Sequence, residues 1–321
     1  MRPRARLLTG WPTRERVLAE VPACTLQTGE PLDPGRIDDR EDSDVATFSG
    51  SRPAFYDQYL GPLIFEPYGR HLARLVAAGH PERVLELAAG TGRLTVPLRK
   101  ALPKTSTLMA TDLSTDMLSI ARHKVAARNT QFLDVDAHDL PFGADSFDAV
   151  VCQFGAMFFS SRPKALLESK RVMAPGATLW WTTWCEPARN PLVEVVLDVL
   201  GQRLPPDQAA DLGVPFSLHQ PAELAAWFKD AGLVDVDVQR VELPCVAPSA
   251  LDAASGYLLG RFRLLDDDDN DALAVEGLLA ELSAAIEERF GPPVRPGRGG
   301  RKVPSAVSTT MTALVCRGRR P

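Results

Sequence analysis

The stretch Val84-Leu85-Glu86-Leu87-Ala88-Ala89-Gly90-Thr91-Gly92-Arg93-Leu94 limits the fold more than any other part of the chain. An apolar run meets a turn of small residues and restarts with helical spacing, which predicts a strand, a tight loop and a helix from Gly92. Gly90 and Gly92 let backbone N–H groups approach a ligand with no Cβ in the way, and the positive end of the following helix points at the same spot. Glycine pairs mark many turns, so the carboxylates around this one matter. Glu86 lies inside the end of the strand, and Asp112 closes the next apolar run, Ser106 to Asp112. An acid ending the second strand of a βαβ unit, about twenty residues past the glycines, stands where a ribose hydroxyl is gripped.

The alternation continues downstream. Strands are predicted over Arg83–Ala89, Ser106–Asp112, Thr130–Val135, Phe147–Phe154 and Ala177–Trp184, with helices over Gly92–Ala101, Ser114–Ala127 and Pro163–Met173. Ser114 is the expected N-cap of the second helix, with Asp116 in its first turn. Pro175-Gly176 is the expected stop of the third. Strands separated by helices predict a parallel sheet covered on both faces. A third acid, Asp136, is expected to end the third strand. Glu86, Asp112 and Asp136 would then share the crevice at the carboxyl edge of the sheet.

Composition removes several function classes. The 321-residue chain carries a formal charge of −5, which argues against nucleic acid or an anionic membrane surface as its main partner. No apolar run reaches the roughly 18 residues of a membrane span, so no membrane insertion is expected. The five cysteines are scattered and never spaced C-x-x-C, the pattern of reduced thiols in a cytoplasmic protein. No two histidines and a carboxylate have metal-ligand spacing, so no metal is expected. Residues 1–51, arginine-rich at the start and acidic at 38–44, read as a disordered extension.

These motifs together resemble the class I S-adenosylmethionine-dependent methyltransferases, of the small-molecule type found in ubiquinone and menaquinone biosynthesis. Glu86-x-x-x-Gly90-x-Gly92 is similar to their first motif and Asp112 to their ribose acid. Asp136-Ala137-x-x-Leu140-Pro141-Phe142 with Ser146-Phe147-Asp148 is similar to their adenine segment. The likeness runs on through Gln153–Phe159 and Arg171–Gly176 to Thr312–Val315. One departure is Ala88, where many members have glycine. The resemblance implies a Rossmann-like, seven-stranded, mostly parallel sheet with helices on both faces and a helical cap inserted after the fifth strand. It implies S-adenosyl-L-methionine as cofactor, held by Tyr59, Glu86, Ala88, Gly90, Gly92, Asp112, Leu113, Asp136, Ala137 and Gln153.

The methyltransferase domain is expected over 52–321, with 186–220 and 246–292 as helical additions. The acceptor pocket is expected from Phe154, Met157, Phe158, Phe216 and His219, for a small, largely apolar molecule methylated on oxygen. His219 is the candidate general base, as the one histidine of the proposed lid, although alignment and desolvation alone can drive transfer of an activated methyl group. The acidic run 266–269 reads as a solvated joint and the basic loop 295–302 as flexible. The oligomeric state is left open, a homodimer included. Two rivals stand: a nicotinamide-dependent oxidoreductase, against which Thr95 occupies the place of the third small residue, and a methyltransferase-like binding module without turnover.

Overall fold

A computed structural model describes residues 52–125, 127–204, 206–260, 272–291 and 306–321. The expected extension at 1–51, the acidic run 266–269 and the basic loop 295–302 lie outside the described residues.

Seven strands form one sheet: β1 (Arg83–Leu87), β2 (Thr107–Asp112), β3 (Thr130–Asp134), β4 (Phe147–Gln153), β5 (Met173–Trp184), β6 (Val234–Ala247) and β7 (Val307–Arg319). Their order is 3-2-1-4-5-7-6. β1 to β5 are mutually parallel, and β7 lies antiparallel between β5 and β6. The Rossmann-like, mostly parallel sheet expected from the sequence is therefore present. The nicotinamide reading is not favoured, because the doubly wound dinucleotide sheet runs 3-2-1-4-5-6 without an inserted antiparallel strand.

Helices α1 (Glu66–Ala77), α2 (Thr95–Ala101), α3 (Thr115–Lys124) and α4 (Arg162–Val172) accompany the parallel strands. The central strands are apolar on both faces because both are covered: Val84, Leu85 and Leu87 of β1 and Val150, Val151 and Cys152 of β4 are buried. Leu72 and Val76 of α1 and Leu94, Leu98 and Leu102 around α2 pack on Val84, Leu108 and Val151. Ser114 caps α3 as expected, its Oγ accepting from Met117 N–H at 3.3 Å.

After β5 come α5 (Pro191–Leu200), α6 (Pro206–Asp211) and α7 (Pro221–Asp230), and after β6 come α8 (Ala250–Leu259) and α9 (Ala272–Phe290). The helix at 191–200 buries Leu192, Val193, Val196 and Leu200 as its apolar face.

Several boundaries differ from expectation. The helix after the glycine turn starts at Thr95, because Gly90 and Gly92 both have positive φ and cannot continue a right-handed helix. β3 ends at Asp134, leaving Asp136 in the loop beyond it. Pro175-Gly176 lies inside β5, whose pairing with β4 shifts register between Phe147 and Ala149, and so does not stop a helix. β6 and β7 run long, over Val234–Ala247 and Val307–Arg319, since each supplies the other with ladder partners. The approach to α1 is a short helix, Arg52–Phe55, followed by a π-helical segment, Tyr56–Phe65, that contains Pro62. Wide turns of this kind concentrate at functional sites.

Candidate functional site

The carboxyl ends of β1, β2 and β4 face a cleft of about 310 Å³ lined by Glu86, Ala88, Gly90, Asp112, Leu113, Asp136, Ala137, Gln153 and Phe154, among others. The geometry follows from the strand ends. Asp112, the last residue of β2, accepts from Gly90 N–H at 2.7 Å through Oδ2 and from Ser114 N–H at 2.8 Å through Oδ1. It thereby ties the glycine turn to the start of α3. Burial pushes its carboxyl up from the ordinary value, while those N–H bonds oppose the rise.

Glu86 is 1% exposed, and its Oε2 has no hydrogen-bond partner. Burial, opposed by hydrogen bonding from Thr95 and reinforced by the nearby Asp112 carboxylate, pushes it up to about 8. Gln153 donates its Nε2 to Phe65 C=O at 3.3 Å, and its Oε1 is likewise buried without a partner. Two buried acceptor oxygens at the ends of neighbouring strands thus await a donor, an arrangement suited to a ligand ammonium group.

Backbone shape at this edge is strained where a ligand would approach. Ala88 has φ +51° and Phe154 φ +53°, both left-handed, alongside Gly90 at +55°. The methyl of Ala88 also dictates a neighbour. A Cβ on Gly155 would fall 2.3 Å from that of Ala88.

A second, smaller cavity of about 70 Å³ adjoins the cleft. Tyr56, Phe65, Phe154 and Phe158 line both. Further walls include Trp184, Val193, Val196 and Leu197 of α5, Pro215 and Phe216, Tyr257 of α8 and Met311 of β7. Phe154 stacks flat on Trp184 with centroids 3.7 Å apart, and Phe65 leans on both rings. No described residue of its lining carries a charged side chain.

The π-helical segment roofs the neck between the two cavities and is fastened to the glycine turn. Arg93 Nε donates to Asp57 Oδ1 at 2.8 Å, and Lys124 joins Asp57 as well as Thr91 C=O. The Arg93 guanidinium occupies the space that a side chain on residue 61 would need, which explains the glycine there.

Of the residues expected at the site, Glu86, Ala88, Gly90, Asp112, Leu113, Asp136, Ala137 and Gln153 line the cleft, Phe154 and Phe158 line both cavities, and Phe216 lines the second. Gly92 lies in the turn itself. Like Gly92, three others are not among the lining residues. Tyr59 stacks on Phe55, with centroids 6.3 Å apart, and Tyr56 takes the place at the neck. Met157 is buried beneath the turn after β4, its carbonyl accepting from Arg162. His219 lines neither cavity: its Nδ1 lies 2.7 Å from Phe216 C=O and its Nε2 3.1 Å from Gln220 Nε2. Both ring nitrogens are met by residues of its own segment. Sequence reasoning missed Trp184, Arg93, Tyr257 and Met311. Only Arg93, beside the second glycine, carried a positional signal.

Fold and cleft together define a Rossmann-like nucleotide-site protein with a covered, apolar side chamber. Residues 84–176 match a family described as a methyltransferase domain. The demethylmenaquinone methyltransferase of Porphyromonas gingivalis is 31% identical over 184 residues, 53% of this chain and 75% of that protein. The ubiquinone/menaquinone biosynthesis C-methyltransferase UbiE of Klebsiella pneumoniae is 28% identical over 180 residues, 52% of this chain and 72% of that protein. Across such curated relatives the matched part spans between 46% and 75% of their length. Among solved structures, phosphoethanolamine N-methyltransferase 2 of Haemonchus contortus in complex with S-adenosyl-L-methionine shares the fold, with a TM-score of 0.54 and 16% identity over 91% of this chain and 62% of that one. The chain belongs to the class I S-adenosylmethionine-dependent methyltransferases. It is an enzyme of that family, with S-adenosylmethionine as its cofactor.

Proposed function

We propose that the chain methylates a small, neutral, aromatic acceptor seated in the second cavity, on oxygen, and that it does so by alignment and exclusion of water. The observation that carries this reading is the neck. The same four aromatic residues wall both cavities, so a molecule in the apolar chamber meets the cofactor cleft there.

The residues of the cleft fit the cofactor. Glu86 Oε2 and Gln153 Oε1, both buried without partners, suit the α-amino group. Asp112 would take the ribose hydroxyls and Asp136 the adenine amine. Gly90, beside which a Cβ would meet only open space, leaves room for the methionine portion. S-adenosylmethionine, when bound, would supply a methyl group already activated by the sulfonium charge: the acceptor oxygen would gain the methyl, the sulfur would keep the electron pair of the broken bond, and the hydroxyl proton would leave to solvent.

The protein's share is then positional. The stacked pair Phe154 and Trp184 offers a flat face to a flat ring, and Phe158, Phe216 and Leu197 close the chamber against water. Holding two reactants in line supplies about 7–11 kcal/mol, more than the roughly 10²–10⁴-fold that a general base contributes. Tyr56 and Tyr257 bring hydroxyls to the chamber, and they suit the orientation of an acceptor hydroxyl. The names of two relatives, demethylmenaquinone methyltransferase and the UbiE C-methyltransferase, support a quinone-type ring as acceptor and make ring carbon the competing site of transfer.

The test is incubation with isotopically labelled S-adenosylmethionine and a panel of phenols, quinols and amines, with the product position read by NMR. Methyl ethers of neutral aromatic phenols are expected. Transfer to charged amines alone would overturn the acceptor class, and carbon-methylated quinols would overturn the choice of oxygen.

A further inference from the structure

The loop after β3 carries a contact that no motif accounts for. Asp136 Oδ1 accepts from its own loop, from His138 N–H at 2.8 Å, and lies 2.5 Å from His138 Nδ1. The other ring nitrogen, Nε2, faces Ser161 N–H at 3.1 Å. A backbone N–H can only donate, so Nε2 must present its lone pair, and the ring proton must sit on Nδ1. The imidazole is therefore a neutral donor to the carboxylate. Its orientation is held from the far side by the residue that precedes α4, and from one face by Phe159, whose ring meets it edge-on at 5.6 Å.

The consequence is directional. Both residues line the cleft, but the His138 side chain is only 12% exposed, whereas that of Asp136 is 50% exposed. Both His138 contacts use Oδ1, and Oδ2 bonds none of the described residues. We propose that His138 is a positioning residue for the base of the cofactor: it pins Oδ1 of Asp136 so that Oδ2 is presented to the exocyclic amine of adenine. The role rests on the assignment of Asp136 to adenine given above. It adds what makes an exposed aspartate selective, since an unpinned carboxylate spends its time among rotamers and loses that entropy on binding.

The test compares S-adenosylhomocysteine with its 6-deamino analogue, in which purine carries hydrogen where adenine carries the amine. Binding is measured by calorimetry. The wild-type protein is expected to prefer the amine by about tenfold or more, the value of a hydrogen bond to a charged group. H138A should lose most of that preference by weakening S-adenosylhomocysteine while leaving the analogue's Kd unchanged. H138N, whose amide N–H takes the place of Nδ1–H, should restore the preference, and H138Q, whose amide reaches toward Ser161, should not. These two replacements keep the question open to a result even if H138A folds poorly. Equal weakening of both ligands would reduce His138 to loop packing, and a preference that survives both H138A and H138Q would also overturn the proposal. No preference in the wild type would remove Asp136 from the adenine site, and with it the role of His138. That result is distinct from a wild-type preference that is insensitive to His138.

Discussion

Replacing Glu86 by glutamine isolates one buried charge and gives opposite signs in stability and in binding. In the free protein burial pushes Glu86 up to about 8, from an ordinary value of 4.5. A raised value means that the folded chain binds this proton more tightly than the unfolded chain. The stabilisation is full below about 4.5 and is lost as pH rises through about 8, at about 1.4 kcal/mol per pH unit, on the order of 5 kcal/mol in all. Glutamine has the same shape and does not titrate. Glu86→Gln should therefore match the wild type near pH 4.5 and exceed it by a few kcal/mol at pH 8.5, part of the gain being offset by an amide N–H that needs a partner. Denaturant unfolding at the two pH values reads this directly. Cofactor binding should run the other way. A ligand ammonium favours the ionised carboxylate, so wild-type affinity for S-adenosylhomocysteine should tighten up to tenfold per pH unit between about 6 and 8 and then level off. In the variant the affinity should be weaker at pH 8 and flat below it. An equal pH slope in both proteins, or a stability difference that does not change with pH, would refute the reasoning.

Three further outcomes are expected. Asp112→Ala should weaken S-adenosylmethionine binding by at least about tenfold and also cost about 1–3 kcal/mol of stability, because it releases Gly90 N–H and Ser114 N–H; calorimetry and unfolding measure the two effects separately. Gly155→Ala should destabilise by about 1–3 kcal/mol through its collision with Ala88, and adding Ala88→Gly should recover most of that, leaving the 3.0 Å approach to Cys152 Sγ; failure of the double variant to recover would show that the backbone sets the cost. His219→Ala, on a true substrate, should keep turnover within a few-fold of wild type, since the ring lies outside both cavities; a hundredfold loss would restore it as a base.

The cofactor half of the site was legible because its residues stand at strand ends. Glu86 and Asp112 are placed by an alternation of apolar strands and helices that any reader of the chain can follow, and the glycine turn lies between them. The roof was not legible. Helical spacing makes Tyr56 and Tyr59 equally good candidates, and only the π-helical winding of 56–65 sends Tyr56 to the neck and Tyr59 onto Phe55. The chamber was half legible for a related reason. Phe154, Phe158 and Phe216 announce themselves as aromatic, but Trp184 looks like the last residue of a buried strand, and Met311 and Tyr257 arrive from elements far along the chain. His219 drew the eye because a lone histidine in a proposed lid reads as chemistry; the structure sets its Nδ1 2.7 Å from the Phe216 carbonyl, a contact that spacing alone does not announce.

The place of β7 has a consequence for how such a chain assembles. β5 pairs along Thr178–Trp184 not with the next strand made but with the one after it, and β6 reaches the sheet only through that same strand. Until β7 emerges during synthesis, the nascent protein holds two long ladders of unpaired N–H and C=O groups, on β5 and on β6. Pairings between residues this distant form slowly, because the intervening loop must be closed before they reward it. Exposed strand edges invite association with other chains meanwhile. The sheet order therefore leads to the expectation that docking of β7 is slow and loses yield at higher protein concentration, which refolding followed at several concentrations would check.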